Sequence, residues 1–255
     1  MQTNKTSLSR LIGLFAAVLI GPGAWSITSP SALALPEEDV QAILGPVPVF
    51  VVTDAEGSPL VVNIPVQEGP DGSDETQAVA GVFFNLSDAQ ALVDRLTEER
   101  PEVGNQVTVT PISLAEVNRL DQAAQDQPDG LDFAYVPAPE QVAQATDLLA
   151  SENGDFQGTP LFVARGGADG GYLTVQQDGS QRVPFFFEYQ QLERLVDAFK
   201  VQNPDQADTV QIEVIRLADV INTLQTTDNQ NLTNIVLVPT QETLELLREA
   251  QEEPQ

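Results

Sequence analysis

The sequence contains no cysteine and no histidine. Without cysteine there is no disulfide, no thiolate nucleophile and no thiolate metal site. Without histidine there is no imidazole base, no Ser-His-Asp triad and no ordinary zinc centre. Positive charge is scarce too. Eleven Lys and Arg stand against 38 Asp and Glu, a formal net charge of −27. Such a chain is repelled by phosphate backbones and by anionic lipid, which argues against nucleic-acid binding and against membrane attachment through a basic face. There is one Trp, Trp25, and three Tyr, so the stacking platforms of a sugar cleft are lacking. An enzyme built here would have to work with carboxylates alone, and no Asp/Glu pair recurs in a sugar-binding context. A secreted carboxylate hydrolase is therefore the weakest of the functional readings. No cofactor is expected.

What is present is an ordinary globular content of apolar residues, 42%. The first of them lie in a targeting segment. Lys5 and Arg10 precede the apolar run 11–20, Gly21-Pro22-Gly23 breaks any helix, and Ala32-Leu33-Ala34 fits the small-x-small cleavage pattern. The run is too short to span a bilayer, so residues 1–34 are read as a signal peptide in preference to a retained anchor. Cleavage then exposes Leu35, removes two basic residues and no acid, and leaves Lys200 as the only lysine.

The remainder repeats itself. Pro48-Val49-Phe50-Val51 echoes Pro160-Leu161-Phe162-Val163 at an offset of 112. Phe83-Phe84 echoes Phe186-Phe187 at 103, as do Leu92-Val93-Asp94 with Leu195-Val196-Asp197 and residues 113–117 with 216–220. Val136-Pro137 echoes Val238-Pro239 at 102. Conserved order and a nearly constant offset point to an internal duplication. The halves run 35–152 and 153–255, the first carrying extra length in the polar stretch 67–76. Each half predicts three strands, then alternating helix and strand. In the first half the strands are 47–53, 59–66 as its hairpin partner, 78–84, 106–112 and 131–136. The helices are 88–99, 113–120 and 137–150, and 121–130 is a polar connector. The second half predicts strands 159–164, 172–176, 182–187, 209–215 and 234–238, with helices 189–201, 217–224 and 240–250. Ser87 with Gln90 and Ser113 with Glu116 have capping-box spacing. The fold class is α/β (α+β): two pseudo-symmetric halves, each a small mixed sheet covered by helices.

The leader, the strand Val47-Pro48-Val49-Phe50, the aromatic strand end Val82-Phe83-Phe84 and Val136-Pro137 before a helix, repeated once, are similar to the Tic twenty-two family. This is the soluble component of the translocon at the chloroplast inner envelope, here in its cyanobacterial form. The resemblance covers the chain after the leader. It implies a chaperone-like protein in the periplasm, with the thylakoid lumen as the alternative. It would hold unfolded or outer-membrane precursor proteins and support outer-membrane biogenesis. It brings no catalytic residues.

The candidate polypeptide-binding residues are Phe83, Phe84, Phe185, Phe186, Phe187 and Tyr189. Consecutive phenylalanines on a strand point to both faces. Either both faces are covered, or one is an open apolar groove. A structural adaptor docking one defined partner, such as an outer-membrane assembly pore, is the rival. The acidic clusters at 37–39, 71–75, 98–99 and 252–253 are solvated faces. The 71–75 cluster lacks the ligand alternation of a calcium loop, and the glycine-rich 166–171 lacks the Lys and Ser/Thr of a phosphate loop.

Overall fold

Among the described residues, strong β-formers in short runs and amphipathic helices between them build two sheets and eight α-helices. The computed structural model describes residues 34–65, 76–125, 130–150, 155–167 and 170–252. The expected signal peptide, the 71–75 cluster and part of the 166–171 loop lie outside them.

The first sheet contains β1 (Pro48–Asp54), β2 (Val61–Pro65), β3 (Thr76–Phe83), β4 (Val107–Ser113) and β5 (Asp132–Val136). Its order is β2-β3-β1-β4, with β5 parallel to β3. The second contains β6 (Pro160–Gly166), β7 (Gly171–Tyr172), β8 (Val175–Gln177), β9 (Ser180–Phe186), β10 (Gln211–Arg216) and β11 (Ile235–Val238). There β10, β6, β9 and β11 are neighbours in that order, with β8 antiparallel on β9. The senses match strand for strand: β1, β3, β4 and β5 pair as β6, β9, β10 and β11 do. Phe50 faces Phe83 across the first sheet as Phe162 faces Phe186 across the second.

One pairing differs from expectation. β2 joins β3 and not β1; only an isolated bridge, Thr53 to Pro59, links it back. β3 takes that edge of β1 at Phe50 and Val51, and the chain after the turn bridges β1 only at Thr53 before it continues along β3.

The helices are α1 (Glu37–Leu44), α2 (Leu86–Glu99), α3 (Pro101–Gly104), α4 (Leu114–Gln125), α5 (Pro139–Leu149), α6 (Tyr189–Gln202), α7 (Leu217–Thr226) and α8 (Gln241–Glu252). Where the sequence suggests only an acidic cluster, Glu37, Glu38 and Asp39 form the first turn of α1, where carboxylates favour the helix dipole. Val40, Ile43 and Leu44 bury its other face. α4 runs five residues past its expected end.

Strand alternation distributes the core. Val49, Val51, Val82, Phe84, Leu161, Val163, Phe185 and Phe187 meet α1, α4 and α7 in one cluster shared by both sheets. The opposite face of the first sheet buries Phe50 and Phe83 with Ala89 of α2, and Leu246 of α8 packs there. The opposite face of the second buries Phe162, Ala164 and Phe186 with Leu192 and Val196 of α6, and Ala145 of α5. The last helix of each half thus covers the other half's sheet. The described residues fall within one compact unit.

Candidate functional site

The aromatic residues define a seam and a pocket. At the seam, Phe84 and Phe187 stack with ring centroids 4.6 Å apart and planes 26° from parallel. Both residues directly follow their strands, β3 and β9, and both helices that follow need caps. Backbone N–H groups at a helix start have no intrahelical acceptor. The α2 start is satisfied from α8: Ser87 N–H donates to Glu242 Oε1 at 2.7 Å, and Ser87 Oγ donates to Glu242 Oε2 at 2.6 Å. The α6 start is satisfied from α5, where Gln141 Oε1 accepts from Tyr189 N–H at 3.0 Å. Glu188 Oε2 accepts from Gln241 N–H at 3.0 Å and so serves the start of α8. Thr243 Oγ1 donates to the Phe84 carbonyl. The capping box expected at Ser87 and Gln90 does not form, because Glu242 takes the Ser87 N–H and Gln90 donates to Asp94. At α4, Ser113 Oγ does accept from Glu116 N–H, while the Glu116 carboxylate turns to Arg119, which holds its pKa below the usual range.

Glu188 carries the electrostatic strain of the seam. Partial burial raises its pKa; the Gln241 N–H and Arg194 oppose that shift, and Glu140 and Glu242 add to it. A carboxyl group with a raised folded pKa disfavours its charged form in the fold. Its stabilising contribution is complete below the unfolded carboxyl pKa and is lost as pH rises through the folded value. Glu188→Gln keeps an acceptor for Gln241 N–H and removes the charge. The variant is expected to melt above the wild type at pH 7, and the difference should vanish below about pH 4. Thermal melts across that range check it.

The six candidate residues divide clearly. Phe83, Phe84, Phe185, Phe186 and Phe187 are all buried. Both faces of the aromatic strand are covered, so the open groove anticipated as one alternative is not formed along it: α2 and α8 lie over Phe83, and α5 and α6 over Phe186. Tyr189 is half-buried and meets Phe162 edge to face at 5.7 Å.

Phe84 and Phe187 line a crevice of only about 10 Å³ at the seam, whereas Phe185 reaches a larger apolar pocket. This cavity of about 230 Å³ lies beside α7 and is lined by Tyr172, Phe185, Ile215, Val220, Leu224 and Leu232, with Asp219 and Thr223 among its polar residues. Tyr172 is 41% exposed and stands 6.1 Å from the Phe185 ring. The Arg165 guanidinium lies 5.1 Å from the Tyr172 ring centre and pairs with Glu213, fixing that wall of the pocket. Tyr172 comes from the two-residue strand β7 and Leu232 from a 3-10 turn, Gln230–Asn234; neither carries a local pattern, which is why the sequence does not single them out. A larger depression of about 420 Å³ lies between α1 and the second sheet, but Asp39, Asp178, Arg182 and Thr233 give it a polar character.

Among the described residues no group of three or more acidic side chains is placed to hold a metal ion, and no helix is long and apolar enough to cross a membrane. The model of the Tic22-like family matches residues 6–249.

The chain belongs to the Tic22-like family.

Its structure is similar to that of Anabaena Tic22, a protein of protein transport, with a TM-score of 0.73, 27% identity and coverage of 86% of this chain and 100% of that one. Tic22 from Plasmodium falciparum shares the fold, with a TM-score of 0.64 at 18% identity over 86% of this chain and 98% of that one. Protein TIC 22, chloroplastic, of Arabidopsis thaliana is 25% identical over 166 residues, covering 64% of this chain and 56% of the relative. The Pisum sativum protein of the same name is 26% identical over 117 residues, 46% of this chain and 42% of the relative. The chain thus spans about half the length of the curated relatives it matches.

Proposed function

We propose that the chain is an exported, non-catalytic polypeptide-binding protein of protein transport. Its two halves descend from one duplicated unit. It loses residues 1–34 on export and works in the periplasm, holding apolar segments of unfolded or outer-membrane precursor proteins. The observation that carries this reading is the apolar pocket floored by Phe185 and walled by Tyr172. A cavity of this kind, with one exposed aromatic wall, takes one or two large apolar side chains of an extended client. At about 25 cal/mol per Å², burial of a few hundred Å² gives several kcal/mol gross. The cost of ordering the client removes much of this, leaving affinities of about micromolar or weaker. Such binding suits a carrier that must release its cargo, and the excess of negative charge keeps an apolar-patched protein soluble.

Light scattering from an unfolded outer-membrane protein tests the reading. The mature chain is expected to suppress aggregation. Tyr172→Ala should weaken that protection severalfold with little change in thermal midpoint, and Tyr172→Phe should retain it. If the wild type protects at no stoichiometry, a single-partner adaptor, docking for example on an outer-membrane assembly pore, becomes the better account.

A further inference from the structure

The ribbon of β2 and the start of β3 sets the two halves apart. β2 is the edge strand of the first sheet, and all five of its residues are exposed. Val61, Val62 and Ile64 are 42%, 64% and 48% exposed, half of the exposed large apolar side chains among the described residues. Val62 and Ile64 share one face, and Val79 sits opposite Val62 on β3. Soluble proteins usually guard an edge with a charged side chain, because its free N–H and C=O groups template another strand. The described ribbon carries no charge at all: β2 is Val-Val-Asn-Ile-Pro, and its partners on β3 are Thr76, Gln77, Ala78, Val79 and Ala80.

The second half provides an internal control. Its strand in the same topological place, β8, pairs Val175, Gln176 and Gln177 with Arg182, Gln181 and Ser180. There the edge strand is three residues long and mostly polar, and the ribbon's one charge, Arg182, lies on β9 and donates to the Thr233 carbonyl. The fold therefore tolerates a short, mostly polar edge at this position, and the apolar edge of the first half is not a requirement of the architecture.

Charge selects the occupant. The first sheet contains no Lys or Arg in any strand, whereas the second has Arg165, Arg182 and Arg216. Asp54 and Glu56 sit at the turn leading to β2. A second copy meeting edge to edge would bring these acids and two strongly negative chains together. An extended segment with an apolar centre and basic flanks meets the same surface favourably. We propose that β2 is a docking edge that adds one strand from a polypeptide of this kind, with backbone hydrogen bonds to β2 and flanking Lys or Arg facing the acids. This surface is separate from the pocket over Phe185. It deepens the polypeptide-binding reading by naming a second site and its client chemistry.

The test uses the mature chain and a short peptide of alternating Val and Thr flanked by lysines, beside its glutamate-flanked counterpart. Hydrogen exchange is followed at individual amides. The lysine peptide is expected to slow exchange across residues 61–65 by about tenfold or more, with weaker effect at high salt, and the glutamate peptide is expected to do nothing. V62K/I64K should abolish the protection while its melting temperature and its aggregation-suppressing activity at the Tyr172 pocket persist. Loss of both would place client binding on one surface and overturn the separate site. Equal binding of the two peptides, protection elsewhere but not at β2, or a wild type that sediments as a dimer protected at β2 without peptide would each overturn the proposal.

Discussion

Replacing Phe187 by alanine is expected to lower the unfolding free energy by about 3–5 kcal/mol, the usual cost of truncating a buried phenylalanine. The side chain is 3% exposed and lies in the cluster shared by both sheets. Its ring stacks on Phe84 from the other half, so the loss leaves a cavity that both halves line. Phe84→Ala should cost a similar amount. The pair should not be additive: the double variant is expected to be less destabilised than the sum by about 0.5–1.5 kcal/mol, the range found for aromatic pairs. Phe83 gives the contrast. It belongs to the cluster on the opposite face, under α2 and α8, so Phe83→Ala and Phe187→Ala should add within about 0.5 kcal/mol. Urea unfolding of the three single variants, the two double variants and the wild type measures both couplings. A zero coupling between Phe84 and Phe187 would mean that the stack contributes nothing beyond its buried area.

The same phenylalanines mark how far sequence reading goes. Adjacent aromatics at the end of one strand in each half, at an offset of 103, identify equivalent positions and opposite faces. The structure puts Phe84 with Phe187 and separates them from Phe83 and Phe186. That much was legible because strand period is local. What covers each face was not. α5 and α8 cross to the other half's sheet, and their amphipathic patterns carry no address. Glu242 capping α2 from 155 residues away is a similar case: Ser87 and Gln90 have the right spacing for a local box, but a carboxylate delivered by tertiary structure takes the N–H. The pairing of β2 with β3 depends on where β3 takes the edge of β1. The pocket wall Tyr172 is a lone aromatic after a glycine-rich loop, and only the fold sets it against Phe185.

Salt is expected to stabilise the fold. Eleven cations cannot neutralise 38 carboxylates, whatever the geometry. The three ion pairs between described residues, Arg119 with Glu116, Arg165 with Glu213 and Arg216 with Asp219, are all exposed. Pairs of that kind contribute about 0–1 kcal/mol each. Two of them join residues three apart on one helical turn, so they do little to hold the halves together. The seam adds Glu140, Glu188 and Glu242 near one another, with Glu188 already resisting ionisation. Repulsion among the remaining acids is therefore the largest electrostatic contribution to the folded state, and it is long-ranged. The screening length falls from about 30 Å at 0.01 M salt to about 8 Å at 0.15 M. Relief of about 2 kcal/mol over that interval would raise the melting temperature by about 4–8 °C for a chain of this size. Sodium chloride and potassium chloride should act alike, since screening and not site binding is responsible. Glu188→Gln should melt higher than the wild type at low salt and keep most of that advantage at high salt, because burial, the main cause of the raised pKa, is not screened while the smaller contributions of Glu140 and Glu242 are. Calorimetry at several chloride concentrations measures this. A midpoint that stays flat or falls with salt would mean that the acids are held in local hydrogen bonds that offset their repulsion.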